Sequence, residues 1–429
     1  MRVQPSTRSD DAAKTAVMKL HARIKRVSGV DLPLQLWDGS QVGPSDTAFR
    51  FVLSDERSLR AALWPPSDLS AGEAYLDGWL DIAGDAVAAM AVGERLFAAL
   101  PRSWWARMPL ALDVLRLPAP PRRQEQRRAR LTGRLHSPER DRRAIAFHYD
   151  LPHSFYASFL DPGLVYSCAY FAPGDDDLER AQLRKLDLVC RKLLLQPGQR
   201  LLDIGCGWGS LLIYAAERYG VDATGVTLSQ TQAEAGNKMI HERGLGDRAR
   251  ILLRDYRDVE GRFDAVGSIG MAEHVGPDNL VSYGTVTREL LKPGGLFLCH
   301  SIVTGDAAHV RQGDEKTFTS AYVFPDGGLV PDWRLLRSLR EAGLELVDVE
   351  QLQLHYALTL RQWVDNLEAN HERAADAAGE RAYRIWRAYM AASSHSFASG
   401  SLGVIQVLVR APGGTEPLPR GREWMLTDQ

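Results

Sequence analysis

The chain has 429 residues, 45% apolar and 25% charged, with 52 basic and 54 acidic side chains for a net charge of −2. This mix excludes a disordered chain, a collagen-like fibre and a small disulfide scaffold, and at roughly 150 residues per domain it predicts two or three domains. Balanced charge argues against a polyanion partner, so no nucleic acid is expected, and no uncharged apolar run approaches the roughly twenty residues of a membrane span.

The opening segment, MRVQPSTRSDDAAKTAV, lacks the apolar stretch of a secretory signal, which makes a reducing cytoplasm the default compartment. Residues 1–120 read as a smaller N-terminal α/β domain, expected to associate with lipid or membrane. FRFVLS near residue 50 alternates like a strand, and SLRAALWPPSD carries a Pro-Pro break. LSAGEAYLDGWLDIAGD then has its apolar residues near helical spacing, with a Trp-rich edge. Residues 121–143 hold nine arginines against Glu125, Glu139 and Asp141. Two readings stay open for this run: a solvated linker, or a patch for a membrane surface with Trp104 and Trp105 just upstream.

From residue 144 to 411 strands alternate with helices. RLLDIGCGW, DATGVTLS, ARILLRDY, FDAVGSIGM and GLFLCHSIV read as strands. SLLIYAAERYG, QTQAEAGNKMIHERGLG and LVSYGTVTRELLKPGG read as the intervening helices. The pattern predicts βαβ units and a parallel sheet covered on both faces. LELVDVEQL and SLGVIQVLVRA add two strands. Residues 412–429 are expected to be a loose tail, with Trp424 and Met425 the residues able to dock. Cys168, Cys190, Cys206 and Cys299 show no CxxC spacing, so neither a zinc ribbon nor any other metal site is expected.

Asp203-Ile-Gly205-Cys-Gly207-Trp-Gly209 closes the first strand of the series and opens a helix. Its glycines let the backbone turn tightly and approach a ligand without a Cβ in the way. A nicotinamide or flavin fingerprint wants GxGxxG and an acid after the second strand. Here the spacing is GxGxG and the second strand ends Gly225-Val-Thr227-Leu-Ser229, so S-adenosylmethionine is favoured over a dinucleotide. Asp255, after the third strand, is placed to read an adenine edge; an ordinary surface aspartate is the alternative.

These residues, with YSCAYF (166–171), MAEHVG (271–276), LLKPGGLFLCHSI (290–302), FHYDLPHSFYASFLD (147–161) and YVFPDGG (322–328), resemble the cyclopropane-fatty-acyl-phospholipid synthases and the related mycolic acid cyclopropane synthases and fatty-acid C-methyltransferases. AGEAYLDGW (71–79) extends the resemblance into the N-terminal domain. It implies a class I S-adenosylmethionine-dependent methyltransferase sheet of the Rossmann-like α/β class. It also implies cofactor contacts at Tyr166, Ser167, Asp203, Gly205, Gly207, Trp208, Thr227, Ser229 and Gln232, besides Asp255. A bound bicarbonate is implied at Cys168, Glu273, His300 and Tyr356, with Ile302 as a backbone contact. Glu273 follows the fourth strand and His300 ends the fifth, at the carboxyl edge where ligands of open α/β sheets bind. Two departures stand out. Ser393 occupies the place of a frequent cysteine, and SAYVFPDGG carries Ala321 in place of a lysine and an extra Asp326.

The implied reaction adds a methylene unit to the double bond of an unsaturated acyl chain of a membrane phospholipid. An alkene attacks the methyl sulfonium, and the resulting carbocation loses a proton to bicarbonate as the ring closes. Tyr170, Phe171 and Tyr356 are candidates for shielding the cation with their π-faces. The alternative is a methyl- or methylene-branching fatty-acid methyltransferase on the same scaffold. The expected partners are lipid and the inner membrane surface, reached peripherally from the cytoplasm, and a homodimer is left open. A silent lipid-binding protein would not need Cys168, Glu273, His300 and Tyr356 together.

Overall fold

The computed structural model describes residues 7–101, 103–121, 137, 140, 143, 151–175, 177–305, 317–325 and 327–426. The Arg-rich run lies almost wholly outside these residues. So do Asp326 and the first part of FHYDLPHSFYASFLD. Contacts divide the chain into two compact units, one of residues 1–129, 314–323 and 378–395, the other of residues 130–313, 324–377 and 396–429.

The first unit contains a 22-residue helix, Thr7–Ser28, and a four-stranded sheet. Its strands are β1 (Leu34–Gln35), β2 (Gln41–Val42), β3 (Phe49–Leu53) and β4 (Leu80–Gly84), in the order β2-β1-β3-β4. The long helical reading of residues 69–85 is corrected here. The helix covers only Asp68–Leu76, capped by Ser67, and the chain then passes through Gly78 at φ +75 into β4, antiparallel to β3. Helical spacing carries no information past a residue whose backbone leaves the helical region, and glycine does that at no steric cost.

The AGEAYLDGW stretch is packed inside this unit. A Cβ on Gly72 would stand 2.2 Å from the Phe318 ring, and Tyr322 donates to the Glu73 carboxylate at 2.9 Å. Arg384 lies over the Tyr75 ring at 4.0 Å, and Arg387 donates to the Tyr75 hydroxyl. Glu73, Ala74, Tyr75 and Leu76 of the stretch are therefore part of the interior, while Gly78 is exposed.

The second unit is a seven-stranded sheet. Its strands are β5 (Arg200–Ile204), β6 (Asp222–Thr227), β7 (Ala249–Leu253), β8 (Phe263–Ile269), β9 (Leu291–Thr304), β10 (Glu345–Gln351) and β11 (Leu402–Arg410). The order is β10-β11-β9-β8-β5-β6-β7. β9, β8, β5, β6 and β7 pair in parallel, and β11 enters antiparallel to both β9 and β10. Both faces are buried, so the strands alternate between two cores. Leu201 faces the helices Leu178–Lys192 and Ser210–Tyr219, and Leu202 faces the helices Leu280–Leu290 and Asp332–Glu341. The helix read through LLKPGG stops at Leu290 and β9 begins at once, because Pro293 disfavours helical backbone at the residue before it. No helix of the described residues is long and apolar enough to cross a membrane.

The tail is not loose as expected. Glu423–Leu426 forms a helical turn, and Trp424 and Met425 are buried in the core beside the helix Leu178–Lys192. Burial of two large apolar side chains outweighs the cost of ordering the short turn. Trp424→Ala is therefore expected to lower stability by about 3 kcal/mol in denaturant unfolding. An unchanged midpoint would mean that this turn contributes nothing.

Candidate functional site

β5 and β6 run side by side and their following helices start at the same sheet edge. The strand order turns back at β5, which opens a crevice at the carboxyl ends of the strands. A cavity occupies it. From the glycine turn, Asp203, Gly205, Gly207 and Trp208 line it. Thr227 and Gln232 enter from β6 and the helix behind it, Tyr166 and Ser167 from the segment before the helix Leu178–Lys192, and Asp255 from the end of β7. Ser229 does not line it; its hydroxyl accepts from the Gln232 amide and caps the helix Gln230–Glu242. Asp255 is a buried ion-pair partner, with both oxygens held by the Arg257 guanidinium.

The glycines act differently from one another. All three turn glycines have positive φ, at +78, +55 and +86 for Gly205, Gly207 and Gly209. A Cβ on Gly205 would strike the Met271 side chain at 2.8 Å, so this glycine makes room for a protein neighbour. A Cβ on Gly207 would meet no protein atom within 4 Å. It is at Gly207 that the backbone stands bare toward the cavity.

Lys185, Met271 and His274 line the same cavity and were missed by the sequence reading. Lys185 is 1% exposed and donates to the Ser167 hydroxyl at 2.9 Å. Burial lowers its pKa to about 8 and raises that of Asp203 to about 7. Asp203 Oδ1 is buried without a hydrogen-bond partner, so a ligand donor fits there. Spacing along an amphipathic helix gives no sign that one of its lysines turns inward.

None of the four residues assigned to the anion lines this cavity; His300 stands on β9 opposite the last residue of β8, and Glu273 on the short helix that follows β8. β8 ends opposite His300, so the Ile302 N–H of β9 extends past its neighbour, and the Glu273 carboxylate accepts from it at 2.7 Å. Glu273 Oε2 is buried without a partner. Burial pushes this carboxyl up to about 7, offset only in part by the Ile302 N–H. His300 is 2% exposed, and burial depresses its pKa to about 3, with the Lys185 and Lys192 cations adding to the effect. Cys168 and Tyr356 meet at one carbonyl: Leu352 O lies 3.7 Å from Cys168 Sγ and accepts from the Tyr356 amide at 3.0 Å. Burial raises the Cys168 thiol well above its usual value, so it stays protonated. A buried, protonated thiol is a poor nucleophile.

Aromatic rings wall the region. Tyr166 stacks on Trp363 at 5.1 Å, Tyr156 lies 4.8 Å from Trp208, and Tyr356 lies 4.6 Å from Phe397. Tyr170 and Phe171 instead stack on His355, so of the three cation-facing candidates only Tyr356 joins this wall. Tyr156, within FHYDLPHSFYASFLD but given no role there, and Trp363, outside every quoted motif, are additions to the site.

Residues 136–407 match the family of mycolic acid cyclopropane synthetases. The chain belongs to this family. A probable fatty acid methyltransferase of Pseudomonas putida is 39% identical over 402 residues, 92% of this chain and 96% of that protein. The cyclopropane-fatty-acyl-phospholipid synthase of Escherichia coli K12 is 39% identical over 267 residues, 61% of this chain and 66% of its own length. The crystal structure of mycolic acid cyclopropane synthase CmaA1 complexed with SAH and CTAB is 33% identical, with a TM-score of 0.59, covering 63% of this chain and 98% of that one. The fold is that of S-adenosylmethionine-dependent methyltransferases of the cyclopropane synthase kind.

Glu273 offers a direct test of this electrostatics. Its pKa is raised in the fold, so its stabilising share is full below its ordinary value of 4.5 and is lost as pH rises through about 7. Glu273→Gln should gain stability relative to wild type as pH rises from about 4.5 to about 7, by at most about 1.4 kcal/mol per pH unit, and the gain should level off above that. Urea unfolding at several pH values measures this. Parallel curves for the two proteins would mean that the carboxyl ionises as it does in water.

Proposed function

We propose that this protein uses S-adenosylmethionine to add a methylene unit across the double bond of an unsaturated acyl chain of a membrane phospholipid, giving a cyclopropane. The observation that carries the reading is the desolvated Glu273 carboxyl, held through one oxygen by the Ile302 N–H with Oε2 left over, and flanked in sequence by the cavity-lining Met271 and His274. Asp203 and the bare backbone at Gly207 suit the polar end of S-adenosylmethionine, and Tyr166 and Trp208 suit its sulfonium through their π-faces. Bound there, S-adenosylmethionine supplies an electrophilic methyl group. The alkene carbon forms a bond to that methyl as the carbon–sulfur bond breaks, leaving a cation on the adjacent chain carbon.

The protein's task is then to keep water away and to direct one proton. The aromatic wall around Tyr356, Trp363 and Phe397 does the first. Cys168, Glu273, His300, Tyr356 and the Ile302 amide are the groups that would hold bicarbonate. Glu273 Oε2, lacking a protein partner and titrating near neutrality, suits a small hydrogen-bonding anion. Bicarbonate supplies a base for the proton lost from the new methyl as the ring closes. Base assistance of this kind contributes about 10²–10⁴ in rate. A second reading is favoured by the 39% identity to the probable fatty acid methyltransferase across 92% of this chain: loss of a different proton gives a methylene branch.

Mass spectrometry of lipids from cells expressing the protein tests both readings. One added CH₂ per modified chain is expected, and NMR separates ring from branch. Glu273→Gln and His300→Ala should abolish product with cofactor affinity retained, and activity should fall in decarbonated buffer and return with bicarbonate. Gly207→Ala, which sets a methyl into the cavity, should weaken S-adenosylmethionine binding about tenfold or more by calorimetry, a loss of about 1.4 kcal/mol. Unmodified lipids would overturn the assignment.

The substrate's double bond lies within a bilayer, so the protein must work at the membrane surface. The helix Trp104–Arg116 exposes Trp105, Leu112 and Leu115 and precedes the nine arginines of residues 121–143. Apolar anchors beside a basic run suit an anionic lipid surface, at about 1 kcal/mol per basic residue. Replacing Arg122, Arg123, Arg127 and Arg128 with Ala should weaken co-sedimentation with anionic vesicles by a few kcal/mol at low salt, with cofactor binding intact. The gap should narrow with added salt as the Debye length falls from about 10 Å at 0.1 M to about 3 Å at 1 M. Coincident curves would make the run a linker.

A further inference from the structure

Three polar side chains form a row across the sheet where β11 runs against its neighbours. Glu350 of β10 is directly opposite Gln406 of β11, and Gln406 is directly opposite His300 of β9. Lys192, at the end of the helix Leu178–Lys192, comes down on this row. Its ammonium bonds to Glu350 Oε2 and to Gln406 Oε1, the latter at 2.8 Å. Gln406 Nε2 then lies 3.3 Å from His300 Nδ1. Lys192 and Gln406 are each 1% exposed, so water does not compete for these bonds.

The chemistry of the donors fixes the protons. A lysine ammonium only donates, so the Gln406 oxygen faces Lys192. The amide NH₂ must then face His300, and Nδ1 must accept. The remaining proton of a neutral ring sits on Nε2. A ring protonated at both nitrogens would set N–H against N–H at this contact.

We propose that Lys192 and Gln406 are positioning residues that lock His300 as the neutral Nε2–H tautomer. His300 is thereby a hydrogen-bond donor toward its ligand and is excluded as the base of the ring closure. Glu350 completes the device by pairing with Lys192 and orienting its ammonium, while Tyr170 donates to the other Glu350 oxygen at 3.3 Å. Lys185, from the same helix as Lys192, adds a second cation that opposes protonation of the ring. The inference rests on the reading of His300 as an anion contact, but the tautomer can be measured without lipid, cofactor or turnover.

The experiment is ¹⁵N-histidine NMR of the full chain, with the His300 signals identified by their loss in His300→Ala. The expected spectrum is a neutral ring with its proton on Nε2. An Nδ1–H tautomer or an imidazolium in the wild type overturns the proposal, whatever the lipid product is. Gln406→Glu offers Nδ1 an acceptor in place of a donor, so the proton should move to Nδ1. Its kcat should then fall by about 10²–10⁴-fold, the range from a lost acid–base contribution to a misplaced histidine tautomer, while KM for S-adenosylmethionine stays put. Wild-type tautomer and kcat in a folded Gln406→Glu protein would also overturn it. Should that variant fail to fold, the wild-type spectrum decides alone.

Discussion

Desolvation governs this protein's chemistry. Asp203 and His300 on the sheet, and Lys185 and Glu273 on helices beside it, are all buried, and burial is the first cause of every shift among them. Each is pushed toward its uncharged form: the acids upward, the bases downward. Ionisable groups are rarely placed in such surroundings for stability alone, because removing them from water is expensive. They are tolerated because each finds part of its hydrogen bonding from backbone or neighbour, as Glu273 does from Ile302 and Lys185 from Ser167. The parts left over, Asp203 Oδ1 and Glu273 Oε2, mark where a ligand completes the accounting. The same dryness suits a carbocation, which water would quench.

Much of the second unit was legible in the sequence because its signals are local. Strand and helix periods, the glycines after β5 and the position of Glu273 after β8 all follow from residues a few places apart, whereas β9 runs on past His300 to Thr304 because β11 pairs with it. What escaped depends on partners far along the chain. Lys192 meets Glu350 across 158 positions and Gln406 across 214, and no pattern within either segment announces it. Strand direction escaped for the same reason, since SLGVIQVLVRA reads alike whether it enters parallel or reversed. Gly205 and Gly207 share one motif, yet only the positions of Met271 and the cavity distinguish their tasks.

Resemblance and structure inform each other differently in the first unit. AGEAYLDGW matched the family before any reason for its residues was apparent. The structure supplies the reason: Gly72 clears Phe318, Glu73 takes the Tyr322 hydroxyl, and Tyr75 is held by Arg384 and Arg387. A motif of this kind records a packing solution, and function need not be sought in its individual members.

The reversed strand also sets an order of events at the ribosome. β9 carries His300 and is flanked by β11, whose Gln406 lies 106 positions further on. At about 5–20 residues per second, some 5–20 s pass between the emergence of the two strands. Without β11, the edge of β9 that includes Leu296, Phe297 and Leu298 has no strand partner, the kind of surface that recruits other unpaired strands. The histidine therefore acquires its working environment late in synthesis, and the nascent chain depends on shielding by its own helices or by chaperones until β11 arrives.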